Sequence, residues 1–148
     1  MTTLTLEEAS RIIEGALARA IELKFKPMTV AVLDSGGHLV AFKRQDRSGI
    51  LRPDIAYGKA WGALGMGAGG RALAQRAQAA PAFFTALASA SQGRVIPVAG
   101  GVLILDTNRN SLGAVGVSGD LPDHDENCAV YGIERAGLIA AAGEIHPH

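Results

Sequence analysis

The chain has 148 residues, and 14 Lys and Arg balance 14 Asp and Glu for a formal net charge of +0 at pH 7. That length suits one packed domain, and the balanced charge, with no basic run, supplies no field for nucleic acid or an anionic membrane. A single cysteine, Cys128, excludes an intramolecular disulfide and a cysteine-clustered zinc site.

The N-terminal stretch MTTLTLEEASRIIEG carries acids where an export signal needs bases and an apolar core. No apolar run approaches the roughly 20 residues of a membrane span. A soluble, cytoplasmic protein is the expectation. Thr5-Leu6-Glu7-Glu8 forms a capping box, and Leu6, Ala9, Ile13, Ala16, Leu17 and Ala20 follow helical spacing to about Leu23. Pro27 ends that helix. Met28–Asp34 and His38–Lys43 then read as two strands joined through Ser35-Gly36-Gly37, a hairpin whose second strand opens on a histidine.

Arg44–Leu51 is a polar loop, and Pro53 suits the first turn of a second helix running to about Leu64. A glycine-rich joint, Gly65–Gly70, leads to a helical stretch at Arg71–Ala79, and Pro81 separates this from a weaker one over Phe83–Ala90. Val95-Ile96-Pro97 reads as a short edge strand. Gly101–Asp106 and Ser111–Ser118 make a second hairpin. The last helix starts with Asp123 as N-cap and Glu126 as its capping-box partner, and its stripe is Ala129, Ile133, Ala136 and Ala140. The tail ends with His146 and His148. Helix, hairpin, helices, antiparallel strands and helix in that order give an α+β domain over residues 1–148, with no internal repeat.

Nineteen glycines with only one Trp, two Tyr and four Phe leave modest apolar area per residue. Burial between subunits would make up the difference, so a dimer or higher homo-oligomer is expected. Gly58-Lys59-Ala60-Trp61-Gly62 offers a small-residue helix face for close packing. Gly65-Met66-Gly67-Ala68-Gly69-Gly70 matches a dinucleotide pattern formally. It follows a helix rather than a strand, and no acid lies about 20 residues on, so a nucleotide cofactor is not expected.

Four places carry chemistry. His38 offers an imidazole at a turn, able to bind iron or move a proton near neutral pH. Lys59 sits in the small-residue face, where an ammonium needs an anionic ligand or a distant acid such as Glu126; Asp54, five residues earlier, is too far round the helix. Arg44 and Arg52 flank the polar loop and can pair with carboxylates. The last helix gathers Asp120, Asp123, His124, Asp125, Glu126 and Cys128, residue types that serve capping chemistry, a cation site or a thiol nucleophile.

The segments MTVAVLDSGGHLVAFKR (Met28–Arg44), DIAYGKAWGAL (Asp54–Leu64), IPVAGGVLILD (Ile96–Asp106) and GAVGVSGDLPDHDENCA (Gly113–Ala129) together resemble the GlcG/HbpS family, which includes the C-terminal domain of PduO proteins. The resemblance covers nearly the whole chain. It implies a profilin-like, three-layer α/β/α fold with a five-stranded antiparallel sheet, the Val95–Pro97 segment serving as fifth strand, assembled into dimers or larger oligomers. It also implies association with haem or corrinoid, or a part in glycolate or propanediol use. The export signal of the secreted members and the adenosyltransferase domain of PduO are not recognised in this chain.

Three functions follow as expectations. One is a cytoplasmic oligomeric binding protein for haem or a related small ligand, with pockets at subunit contacts; His38 would ligate iron, Lys59 or Arg44 would hold propionates, and Arg52 and Cys128 would join the ligand surface. A second is an enzyme acting on a small carboxylate or polar catabolite. There Lys59 and Arg52 would orient the anion while His38, Asp125 or Glu126 moves a proton. The third is an accessory structural subunit.

Overall fold

The computed structural model describes residues 3–143, so His146 and His148 lie outside the described residues. Helix α1 spans Leu6–Glu22, and the expected capping box opens it: Thr5 Oγ1 accepts the Glu8 N–H at 3.0 Å and Glu8 Oε1 accepts the Thr5 N–H at 3.0 Å. Strands β1 (Thr29–Asp34) and β2 (Leu39–Arg44) follow as a hairpin, then helices α2 (Arg52–Met66), α3 (Gly70–Ala79) and α4 (Pro81–Ala90). A second hairpin joins β3 (Gly101–Leu105) to β4 (Ser111–Ser118), and α5 (Pro122–Arg135) leads to β5 (Ile139–Ala141). All pairings are antiparallel, in the order β2-β1-β4-β3-β5.

Strand alternation distributes the core between two helical layers. Val30, Val32, Val102, Ile104, Val115 and Val117 pack with Ile12, Ile13, Ala16, Ala129 and Ile133 of α1 and α5. The intervening Leu33, Leu103, Leu105 and Ala114 face Ala60 and Ala63 of α2 on the other side. This is the period-two pattern of a sheet buried on both faces. The three-layer α+β architecture with five antiparallel strands agrees with the fold expected from the sequence.

Close approach replaces bulk in this core. A methyl at Gly116 in β4 would overlap the Ala56 carbonyl oxygen, and one at Gly132 would overlap the Ile12 carbonyl oxygen where α1 and α5 cross. The small-residue face of α2 is covered from within the chain. Ile96 lies against Gly58 and Val95 against Gly62, so this face is filled by the segment that follows α4 and not by a neighbouring subunit.

Three local expectations are corrected. Residues 95–97 are not a strand; the Ile96 N–H is taken by the Gly58 carbonyl of α2 at 3.2 Å, which ties the segment to a helix. The fifth strand is β5, which pairs with β3 through Leu103↔Ala141, so Ala140 belongs to the sheet and α5 ends at Arg135. Gly137, at φ +80°, turns the chain between them. Asp123 is not the N-cap either. That position is Leu121, with no side-chain cap, and Asp123 and Glu126 both hold Arg71 of α3 instead.

Because β4 passes so close under α2, Gly116→Ala should lower stability by about 1–3 kcal/mol, the usual range for overpacking. A chemical denaturation midpoint equal to that of the wild-type protein would show that the layers can separate at no cost.

Candidate functional site

The β1–β2 turn is built by one carboxylate. Asp34 Oδ1 accepts the backbone N–H groups of Gly36 at 2.9 Å and His38 at 3.0 Å, while the Gly37 N–H reaches the Asp34 carbonyl at 3.0 Å. Gly37 sits at φ +82°, a conformation glycine adopts without penalty. The same oxygen lies 3.1 Å from His38 Nδ1. Partial burial acts to raise the Asp34 pKa, but the hydrogen bonds from His38 and Gly36 and the adjacent imidazole outweigh it, and the carboxyl is held below its ordinary value. A carboxylate can only accept, so Nδ1 is the donor; in the neutral ring Nε2 then carries the lone pair. The His38 side chain is 80% exposed, so that lone pair faces solvent.

The β3–β4 turn repeats this construction without the imidazole. Asp106 Oδ1 accepts the N–H groups of Asn108 and Asn110, both at 2.9 Å, and Arg109, at φ +64°, occupies the place of Gly37. Both hairpins also shift register one residue before the aspartate, at Val32/Leu33 and at Ile104/Leu105. Asn110 stands where His38 stands. Neither ring nor amide is needed to make the turn, so the imidazole is an addition to a turn that closes without it. The shared Leu-Asp start of LDSGGHL and LDTNRNSL is the signal for this repeat.

Around His38 the site is partly apolar and partly basic. Tyr57 Oη of α2 donates to the Gly37 carbonyl at 3.3 Å, and the turn borders a cleft of about 150 Å³ lined by Ser35, Gly36, Gly37, Trp61, Leu64 and Gly65. The Arg94 guanidinium lies 4.2 Å from the centre of the Trp61 ring. Sequence reasoning missed Tyr57, Trp61 and Arg94 because the packing of α2 beside the β1–β2 turn brings the first two together, and the return of residues 91–98 across α2 adds Arg94. Along β2, Leu39 and Phe42 face the α2 side of the sheet yet remain exposed, because α2 packs on β4, β1 and β3. Beyond them Arg44 Nη1 donates to the Ser48 carbonyl at 2.8 Å, and Arg52 Nη1 donates to Ser118 Oγ at 3.0 Å. Each guanidinium has five N–H donors, so both keep donors for a carboxylate.

Lys59 is placed differently. It is 2% exposed, and Nζ donates to Asp125 Oδ2 and to the Val117 carbonyl, each at 3.0 Å. Asp125 is equally buried and its other oxygen accepts the Asp120 N–H at 2.9 Å. Burial lowers the Lys59 pKa and raises that of Asp125, each partly offset by the other's charge. The expected acid partner exists, but it is Asp125 and not Glu126, and the ammonium is committed to it rather than offered to a ligand. Glu126 is bound to the Arg71 guanidinium, with its Oε2 3.0 Å from Arg71 Nε.

The remaining candidates disperse. Cys128 is fully buried in the α1/α5 core, and burial, with Asp125 nearby, pushes its thiol up to about 12; it is a packing residue, away from any ligand surface. His124 stacks flat on Phe25 with ring centres 4.1 Å apart, and its Nδ1 lies 3.1 Å from Asp120 Oδ1 but misaligned for a hydrogen bond. Among the described residues, no three His, Cys, Asp or Glu side chains gather in metal-binding geometry. At the acidic start of α5, Asp123 and Glu126 pair with Arg71, and Asp125 pairs with Lys59.

The chain has recognisable relatives. Residues 4–134 match the family described as haem degrading protein HbpS-like, and the chain belongs to that family. It is 28% identical over 125 residues to an uncharacterised 15.0 kDa protein of the dhaT-dhaS intergenic region of Citrobacter freundii, covering 84% of this chain and 86% of that one. It is 27% identical over 127 residues to the corrinoid adenosyltransferase PduO of the same organism, covering 86% of this chain but 37% of PduO. Among solved structures, the PduOC:heme complex superposes with a TM-score of 0.84 over 97% of this chain and 100% of that one at 23% identity, a likeness of fold. A double mutant of Streptomyces reticuli HbpS superposes with a TM-score of 0.78 at 28% identity, over 90% of this chain and 87% of its own.

Removing one partner of a buried ion pair strands the other charge, at about 3–5 kcal/mol. Lys59→Met should therefore melt well below wild type. In the variant the Asp125 pKa lies further above its unfolded value, so the penalty is absent below the unfolded pKa and grows as pH rises through the folded one. Lys59→Met/Asp125→Asn should recover most of the loss, since the amide oxygen still accepts the Asp120 N–H. Thermal melts between acid and neutral pH check this; a single variant with a pH-independent deficit contradicts it.

Proposed function

We propose that this member of the HbpS-like family binds haem, or a flat apolar ligand with acidic groups like it, on the surface running from His38 along β2 to Arg44 and Arg52. The observation that carries the reading is the imidazole of His38, added to a turn that its twin makes without one, with Nδ1 held by Asp34 and Nε2 presented to solvent. A ligating histidine usually donates its other ring nitrogen to a carboxylate in this way, which fixes the ring and raises its basicity. The haem-bound state of the PduOC relative and the family's description support the same ligand class.

The residues fit such a group by chemistry. Leu39 and Phe42 supply apolar surface, and Arg44 and Arg52 supply fixed donors for carboxylates. A strand rises about 3.3 Å per residue, so Arg44 stands roughly 20 Å along β2 from His38 and both side chains must lean inward to share one ligand. Bound haem would bring an iron centre whose properties depend on its axial ligand and on the polarity around it. The chain's own part is to orient the imidazole through Asp34, to cover one face with apolar side chains and to neutralise the acids. The proposal extends to a cytoplasmic homo-oligomer with the ligand at a subunit contact, since one open strand face covers only one side of a flat molecule.

The Asp34–His38 pair favours one further reading. A carboxylate-oriented imidazole is also a general base, and with Arg52 or Arg44 holding an anion it could take a proton from a small carboxylate. Lys59, Asp125 and Glu126 do not enter this version, because each is engaged elsewhere.

Haemin added to the wild-type protein should shift the Soret band, and His38→Ala should abolish the shift while the melt changes by less than about 1 kcal/mol, as expected of an exposed side chain. No shift in the wild type, or an unchanged one in the variant, would refute His38 as the ligand. Arg44→Ala/Arg52→Ala should weaken binding at least tenfold with the Soret position retained, which a parallel titration reads.

A further inference from the structure

A cleft of about 330 Å³ opens between helices α1 and α5, lined by Arg11, Glu14, Gly15 and Ala18 of the first and by Tyr131 and Arg135 of the second. That volume is at the lower end of the range for small-molecule pockets. The helices cross closely here. A methyl at Gly15 would come within 3.0 Å of the Gly132 Cα and 3.4 Å of the Arg135 Cβ. Gly15 and Ala18 therefore leave a small apolar floor, and the longer polar side chains form the walls. The Tyr131 ring is shared with a neighbouring cleft on its other side, and the Arg19 and Arg135 guanidinium carbons lie 4.8 Å and 5.8 Å from its centre.

The charges in this cleft are matched unevenly. Arg11 is bound to Glu7 at 2.6 Å, and Arg19, beyond the ring, to Glu22 at 3.0 Å. Among the described residues Arg135 makes no ion pair, and neither does Glu14, although both line the same cleft. Opposite charges thus face one cavity without touching each other. A plain anion there would meet the Glu14 carboxylate, and a plain cation would meet two guanidinium groups. We propose that this cleft binds a molecule carrying both charges, an α-amino acid with an apolar or aromatic side chain.

Each part of such a ligand has a counterpart. The ammonium pairs with Glu14. The carboxylate takes parallel N–H bonds from Arg135, and Arg11 keeps donors for it, because a guanidinium has five and Glu7 does not use them all. The ligand side chain lies on Gly15 and Ala18 against the edge or face of Tyr131. Helices α1 and α5 cover one face of the sheet, and the surface from His38 along β2 is on the α2 side. The amino-acid site therefore stands whether or not that other surface binds haem.

Isothermal titration calorimetry on the full chain tests this with L-phenylalanine as the probe. Hydrocinnamate, the same molecule without its ammonium, and phenethylamine, without its carboxylate, serve as comparisons. L-phenylalanine should bind saturably, and each comparison compound at least tenfold more weakly. Glu14→Gln should weaken L-phenylalanine at least tenfold without weakening hydrocinnamate, and Arg135→Gln should do the same without weakening phenethylamine. Both side chains are exposed on helix surfaces, so both variants should melt with wild type and respond to haemin as wild type does. Three results overturn the proposal: no saturable heat with L-phenylalanine, hydrocinnamate bound as tightly as L-phenylalanine, or full affinity in either variant. A fourth is a lower melt in each single variant with no further loss in the double, which pairs Glu14 and Arg135 with each other.

Discussion

Lys59 of α2 and Asp125 of α5 come from opposite sides of the sheet and meet where β4 gives up its last carbonyls. The Nζ atom bridges Asp125 and the Val117 carbonyl, and Asp125 in turn holds the Asp120 N–H just ahead of α5. One ammonium thus fixes the start of a helix, the end of a strand and the middle of a second helix. The glycines around it follow from this demand. A side chain at Gly100 would meet Nζ at 2.8 Å, and one at Gly101 would overlap the Lys59 backbone. Desolvation opposes the Coulomb attraction in such a pair, so its contribution is geometric: it sets how the layers face each other. A core rich in alanine and valine, with little bulk to lock it, depends on that fixed point.

With the scaffold held there, the loops at the other end of the sheet can differ. Two turns of the same design emerge side by side from β1 and from β3, each closed by an aspartate that accepts two backbone N–H groups. One of them carries asparagine at the strand start and the other carries histidine. The turn at His38 is also the one that Tyr57 and Trp61 of α2 support. Rigid elements under an exposed imidazole are what a ligand site requires, because the ring's orientation is then set by the scaffold.

What could be read in the sequence was local. The capping box at Thr5 and Glu8, both hairpins and the break at Pro81 depend on neighbours within a few residues, and the structure contains them as expected. The failures are contacts made at a distance. Val95-Ile96 is apolar and β-branched because it fills the small face of α2, which mimics the composition of an edge strand. Leu138–Ala141 continues the apolar spacing of α5, and only Gly137 marks the change to β5. Asp123 and Glu126 have capping spacing, but Arg71, more than fifty residues earlier, attracts both. The partner of Lys59 is 66 residues away, so no spacing rule could choose Asp125 over Glu126. The turn at His38 was legible for the opposite reason: Asp34, Gly37 and the histidine lie within a few residues of one another.

The imidazole of His38, proposed as a ligand, is carried by a turn that closes without it. Pulsed electron paramagnetic resonance on the haemin-loaded protein, in wild type and in His38→Asn, tests it most directly, because the variant copies the residue of the twin turn. Wild type should show an imidazole-nitrogen coupling that is lost in His38→Asn, with the two proteins melting together. An imidazole coupling that persists in His38→Asn, or a variant that no longer folds, would contradict it.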